Sequence, residues 1–167
     1  MPLLIAEALG VEPGRLAPFG AACEMLHNAS LVHDDVQDGD RLRRGQPTVW
    51  KKFGFAQAIN LGDAMIACAV LLMHRLDARP ELRERVVRRM FLEVLRVIEG
   101  QVQDLDLKRH DHVTLDDYLR MVEGKTSRLF ALPLSGAAML CGASEEVEQG
   151  QSTPHATSAC CTRSRTT

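Results

Sequence analysis

Residues 24–47, EMLHNASLVHDDVQDGDRLRRGQP, decide the reading of the whole chain. The stretch opens as an apolar helical pattern and closes on Asp34, Asp35, Asp38 and Asp40, with Arg41, Arg43, Arg44 and Gly45 following at once. On a helix, Asp34 and Asp38 share a face, and Asp35 sits about 100° round the axis. With Gly39 as the stop, these carboxylates crowd a helix C-terminus, where the macrodipole disfavours anions. Such a cluster makes most sense if a cation binds there. Oxygen-only donors favour a hard ion such as Mg²⁺, which takes one or two carboxylates and completes its shell with water and phosphate oxygens. The arginines just beyond carry planar forks that suit phosphate. Acids and arginines together read as a site for Mg²⁺-bridged diphosphate. A solvated acidic helix end followed by a basic loop is the alternative, and composition does not choose between them.

Bulk properties narrow the class. A chain of 167 residues with 46% apolar content suffices for one domain with a core. Aromatics make up only 4%, and Leu, Ala, Val and Met dominate, which suits helices. A net charge of −2 gives no sign of a nucleic-acid partner or a membrane surface. Cys23, Cys68 and Cys141 fall inside apolar helical patterns, where Cys acts as a small buried hydrophobe, and no C-x-x-C pair occurs. The expectation is a reducing, cytoplasmic setting without a disulfide framework. The start lacks a secretion signal, and the most apolar run, 64–73, is too short to anchor the chain stably in a bilayer.

Working outward from the acids, helical spacing predicts a short helix over 2–10 and a long one from about 16 to 38. A third, about 55–76, is apolar nearly all round and so is expected to be central and buried, with Asp63 in a structural hydrogen bond. Over 81–108 the residues Leu82, Val86, Met90, Phe91, Val94, Leu95, Ile98, Val102 and Leu105 form one stripe, with Arg83, Arg85, Arg88 and Arg89 in solvent. Gly100 costs about 1 kcal/mol against Ala in a helix interior, so it marks a close approach. Gln101 and Asp104, three apart, share a face, an ordinary polar one on spacing alone. Thr114 and Asp117 make a capping pattern. A last apolar helix over 129–141 is expected to kink at Pro133. Residues 148–167 hold no Leu, Ile, Val, Met or Phe, and eight of the twenty are Ser or Thr, which predicts a disordered or frame-shifted tail.

The run HDDVQDGDRLRRGQPT, with its trailing Arg-Arg-Gly-x-Pro, resembles the first aspartate-rich motif of the trans-isoprenyl diphosphate synthases, the polyprenyl synthetase family. Similarity continues more weakly from Pro2 to about Val147. The resemblance implies an all-α, isoprenoid synthase-type helical bundle, truncated at both ends: a partial polyprenyl synthetase domain over 1–147, without the family's Gly-Lys-x-x-Arg-Pro element or its second aspartate-rich motif. It implies condensation of isopentenyl diphosphate with an allylic diphosphate, with Mg²⁺ as cofactor and a homodimer as the assembly. Asp34, Asp35 and Asp38 would hold the metal. Arg43 and Lys125, the latter followed by Thr126, would hold the allylic diphosphate. Arg44 and His27 would face the isopentenyl diphosphate, although a lone His on an apolar helix otherwise reads as a core residue. Gln101 and Asp104 would position the metal cluster. Small residues just before the motif, Ala29 and Ser30, imply an open floor for the growing chain and a product of C20 or longer; tight helix packing explains them equally well.

Two other readings compete with an active enzyme. One is a remnant that binds diphosphate or serves as a partner subunit without turnover. The other is a helical interaction module whose acidic turn is accidental, which predicts no Mg²⁺-dependent binding of diphosphate.

Overall fold

The computed structural model describes residues 1–110 and 112–143. The expected tail over 148–167 lies outside the described residues. Among the described residues, seven α-helices, a 3₁₀ turn, a π-helical turn and one short β-hairpin make up the ordered elements, so the chain is all-α in class. They form two compact units.

The unit that carries the acids is Ala17–Asp77. Helix α2 (Ala17–Asp38) buries Phe19, Ala22, Leu26 and Ala29 along one stripe, at the three- and four-residue spacing a helix face requires. It packs along α4 (Phe55–Met73), whose buried stripe is Ala58, Gly62, Ala69 and Met73. Small side chains on α4 let the two helices approach closely. Between them the chain makes a hairpin, β1 (Leu42–Arg43) paired antiparallel with β2 (Gln46–Pro47), and a short helix, α3 (Val49–Phe53).

Helix α4 corrects one expectation. Its apolar sequence predicts burial all round, yet Phe55, Ile59, Leu61 and Leu71 are exposed, and only 17% of its most apolar window is buried. A helix packed along one long neighbour, with only short α3 beside it, hides one stripe, whatever its remaining faces contain. Cys68 shares that exposure, against its expected role as a buried hydrophobe. By length and composition alone α4 is long enough to cross a bilayer, which counting only the run over 64–73 missed.

The second unit joins Met1–Leu16 to the described residues from Ala78 onward. It holds α1 (Pro2–Ala8), a 3₁₀ turn (Pro13–Leu16), α5 (Pro80–Leu107), α6 (Leu115–Val122), a π-helical turn (Glu123–Ser127) and α7 (Arg128–Leu140). Pro80 occupies the first turn of α5, where its missing N–H costs nothing. Thr114 caps α6 as its spacing predicts: its hydroxyl accepts from the Asp117 N–H, and Asp117 Oδ2 accepts from the Thr114 N–H, each at 3.2 Å. Helix α7 continues through Pro133.

The α5 stripe is buried only in its first half. Val86 and Met90 are fully buried, whereas Leu95, Ile98 and Val102 are more than half exposed. Arg83 and Arg89, expected in solvent, are half-buried. Arg83 Nη2 donates to the Ala78 carbonyl at 3.2 Å, and Arg89 is drawn in by Glu93, which is 1% exposed and takes Arg89 Nε at 2.8 Å and Arg96 Nη1 at 2.9 Å on one oxygen. A buried carboxylate needs countercharge, and arginine stems reach it by lying along apolar surface.

Candidate active site

The acid end of α2 is built by a sharp stop. Gly39 adopts φ +71°, and the Asp40 N–H donates to the Asp35 carbonyl at 3.0 Å, the six-to-one bond of a Schellman cap. The chain then turns back through the hairpin. Arg44 (φ +53°) and Gly45 (φ +78°) both have positive φ, as a two-residue type I′ turn demands. Thr48 Oγ1 and Trp50 Nε1 both donate to the Asp40 carbonyl, at 2.8 and 2.7 Å, and the Trp50 ring stacks on Phe55. The returning strand is thereby fixed over the helix end.

Arg43, on β1 just before that turn, reaches the acids. Its Nε donates to Asp35 Oδ1 at 2.7 Å, and its Nη2 lies 2.6 Å from the same oxygen and 3.5 Å from Asp34 Oδ2. Asp35 is buried and Asp34 largely so. The Asp35 hydrogen bond, followed by the charges of Asp35, Asp34 and Asp40, outweighs partial burial and raises the Arg43 guanidinium above its ordinary value. A single cation therefore already spans two carboxylates.

The other expected site residues in this unit are not gathered there. Asp38 is exposed, as is Arg44 at the tip of the turn. His27 is half-buried two turns down α2, where its carbonyl accepts from Ser30 Oγ at 2.7 Å. Ala29 is packed in the core at 1% exposure.

A second cluster belongs to the other unit. A Cβ on Gly100 would stand 2.4 Å from the Lys125 backbone nitrogen, so α5 and the π-helical turn meet backbone to backbone, as the glycine predicts. π-Helical turns recur at functional sites. Here the turn sends Lys125 Nζ onto Asp104 Oδ2 at 2.8 Å, with Lys108 Nζ at 3.4 Å from the same oxygen. Burial pushes the Asp104 carboxyl up, but the hydrogen bond and charge of Lys125, helped by Lys108, hold it below the ordinary carboxylate range. Gln101 is half-buried one turn earlier on α5, and the side chain of Thr126 lies outside those described.

Two features escaped sequence reasoning. One is buried Glu93, whose flanking Arg89 and Arg96 at helical spacing were the available signal. The other is the seat of His33, whose helical spacing puts it on the buried face of α2, against Gly62 of α4 (a Cβ there would stand 2.1 Å from Nε2).

The donor set near Arg43 fits magnesium. All its ligand atoms are oxygens, two carboxylates already share one positive charge, and Mg²⁺ is held by one or two carboxylates plus phosphate and water. Among the described residues, no three His, Cys, Asp or Glu side chains converge closely enough to hold an ion unaided. The built part of the expected trio is the pair Asp34 and Asp35.

Known proteins resemble this chain across most of its length. The family model for polyprenyl synthetase matches residues 1–156. A geranylgeranyl diphosphate synthase of Mycobacterium tuberculosis is 41% identical over 140 residues, covering 84% of this chain and 40% of that protein. A (2E,6E)-farnesyl diphosphate synthase of Mycobacterium bovis is 38% identical over 144 residues, covering 86% and 40%. The solved geranylgeranyl pyrophosphate synthetase of the archaeon Geoglobus acetivorans superposes with a TM-score of 0.86 at 38% identity, over 89% of this chain and 49% of that one. The chain spans less than half the length of these relatives. Helical fold, acid-rich motif and sequence agree: the chain belongs to the polyprenyl synthetase family.

Proposed function

We propose that this chain supplies the diphosphate-ionising half of a prenyltransferase that condenses isopentenyl diphosphate with an allylic diphosphate. The observation that carries the reading is Arg43 spanning Asp34 and Asp35 at the closed end of α2. Bound Mg²⁺ would neutralise charge developing on the departing diphosphate. Asp34 and Asp35, with Asp38 from the exposed last turn, would hold that ion. Arg43 would donate to oxygens of the allylic diphosphate, and Arg44 with His27 would face isopentenyl diphosphate; the role of Lys125 toward the allylic diphosphate rests on the family resemblance alone. Asp104, with Gln101, would set the position of Lys125. The allylic C–O bond breaks, the double bond of isopentenyl diphosphate attacks the resulting carbocation, and a proton leaves the new chain. Preorganised charge at the departing anion is the main catalytic demand. The geranylgeranyl relatives favour a C20 product, while the farnesyl relative is named for a shorter one. Exposed apolar residues on α4 and α5, such as Leu71 and Ile98, support a homodimer as the assembly.

A second reading, binding without turnover, draws support from Arg43 and Lys125 both being bonded to carboxylates. Radiolabelled isopentenyl and allylic diphosphates, incubated with the purified chain and Mg²⁺, separate the two. Product that disappears in Asp34→Ala supports catalysis; uptake of a bisphosphonate without product at high enzyme concentration supports binding alone.

A further inference from the structure

His33 directly precedes the acid pair, yet none of the roles above uses it. Its imidazole occupies the notch left by the missing side chain of Gly62: a Cβ there would stand 2.1 Å from Nε2 and 2.5 Å from Cδ2. From that notch Nε2 lies 3.4 Å from the Ile59 carbonyl and 3.5 Å from Asp63 Oδ1. Both neighbours accept hydrogen bonds, so Nε2 carries the proton and donates. The side chain is 28% exposed, and Asp63 is 67% exposed, so this contact lies at the rim rather than in the core.

A helix end that carries three acids, stopped by a glycine, has reason to fray or rotate. Rotating the last turns of α2 by even a fraction of a residue would move Asp34 and Asp35 relative to Arg43. The packed stripe that holds α2 on α4, Phe19 to Ala29, ends a turn before the acids. His33 is the residue that extends the grip from there to the acid pair.

We propose that His33 is a positioning residue: seated on Gly62 and bonded to α4, it fixes the rotation of the α2 end so that Asp34 and Asp35 face one cation. The inference rests on the proposed use of those acids to hold a metal–diphosphate complex. Supporting contacts of this kind set metal affinity by orienting the ligands, and their loss costs about ten- to a hundredfold.

The test is calorimetric titration of inorganic pyrophosphate in Mg²⁺ into the purified chain, with helical circular dichroism recorded on every variant. His33→Ala should keep its helical signal and bind about tenfold or more weakly. His33→Gln, whose amide N–H reaches where Nε2 reaches, should restore most of the affinity. A folded His33→Ala that binds like the parent overturns the proposal, and so does a His33→Gln that binds no better than His33→Ala. If His33→Ala fails to fold, Asp63→Ala, which removes the acceptor on the exposed side of the contact, decides. Weakening of about two- to fivefold, the worth of one exposed hydrogen bond, supports the proposal, and unchanged binding overturns it. A parent chain that takes up no pyrophosphate overturns the proposed function itself, and this inference with it.

Discussion

Arg43 Nη2 lies 2.6 Å from Asp35 Oδ1 and 3.5 Å from Asp34 Oδ2, so the protein's own cation spans the two carboxylates proposed for metal. Removing it has opposite effects on stability and on metal uptake. In Arg43→Gln, buried Asp35 loses its countercharge, at a cost of about 1–3 kcal/mol, kept below the deep-interior figure because Arg43 is 32% exposed. With the guanidinium gone, a divalent ion meets less repulsion and takes over the neutralising role. Thermal melts with and without Mg²⁺ should show Arg43→Gln less stable than the parent without the ion and gaining more from it. Equal gains in both proteins would mean that the ion does not use these acids.

Gly100→Ala tests the second cluster. The added methyl would stand 2.4 Å from the Lys125 nitrogen and 2.6 Å from the Gly124 carbonyl carbon, both backbone atoms that cannot swing aside. The crossing of α5 and the π-helical turn must open, at about 1–3 kcal/mol, the usual cost of overpacking. Urea midpoints measure this, with exposed Glu99→Ala as the neighbouring control. A midpoint for Gly100→Ala that matches the control removes the argument that the close approach shapes this site.

Asp104 gives a pH dependence with a defined sign. Its folded carboxyl sits below its ordinary value because Lys125 and Lys108 overcome the effect of burial. A depressed carboxylate contributes stability that is present above the unfolded value, near 3.9, and lost as pH falls through the folded one. Lys125→Met removes the stronger partner, leaves burial less opposed and raises the folded value. Acid unfolding followed by circular dichroism should therefore begin at higher pH in Lys125→Met than in the parent. Coincident acid limbs would show that Lys125 does not hold Asp104.

Much of this was legible because local chemistry decided it. Gly39 announced the end of α2, Gly100 the close crossing, and Thr114 with Asp117 the cap, each within a few residues of its effect. What stayed hidden depends on partners far along the chain. Gly45 is only half the mark of a hairpin, since a type I′ turn usually shows Asn, Asp or Gly where Arg44 stands. The exposure of Leu61 and Leu71 follows from which neighbour α4 packs against, and apolar sequence does not encode that. Glu93 was hidden because it interrupts an apolar stripe on a helix otherwise rich in charge. The position of Arg43 on the acids needed the hairpin, and so could not be read before it.

Arg44 stands where stability and function pull apart. It holds φ +53° at the first central position of the turn, a conformation that Asn and Gly adopt at far lower cost than arginine. Replacing it with asparagine should relieve that strain and stabilise the unit by about 0.5–1 kcal/mol, because the residue is exposed and loses little packing. The same change removes a guanidinium proposed to meet diphosphate. Arg44→Asn should therefore melt higher than the parent while binding isopentenyl diphosphate more weakly, a trade expected where a strained residue is kept for its chemistry. Differential scanning calorimetry and titration with isopentenyl diphosphate measure the two effects separately. A variant that melts higher and binds unchanged would show that the strained arginine serves something other than this ligand, while one that melts lower would show that its side chain supports the hairpin.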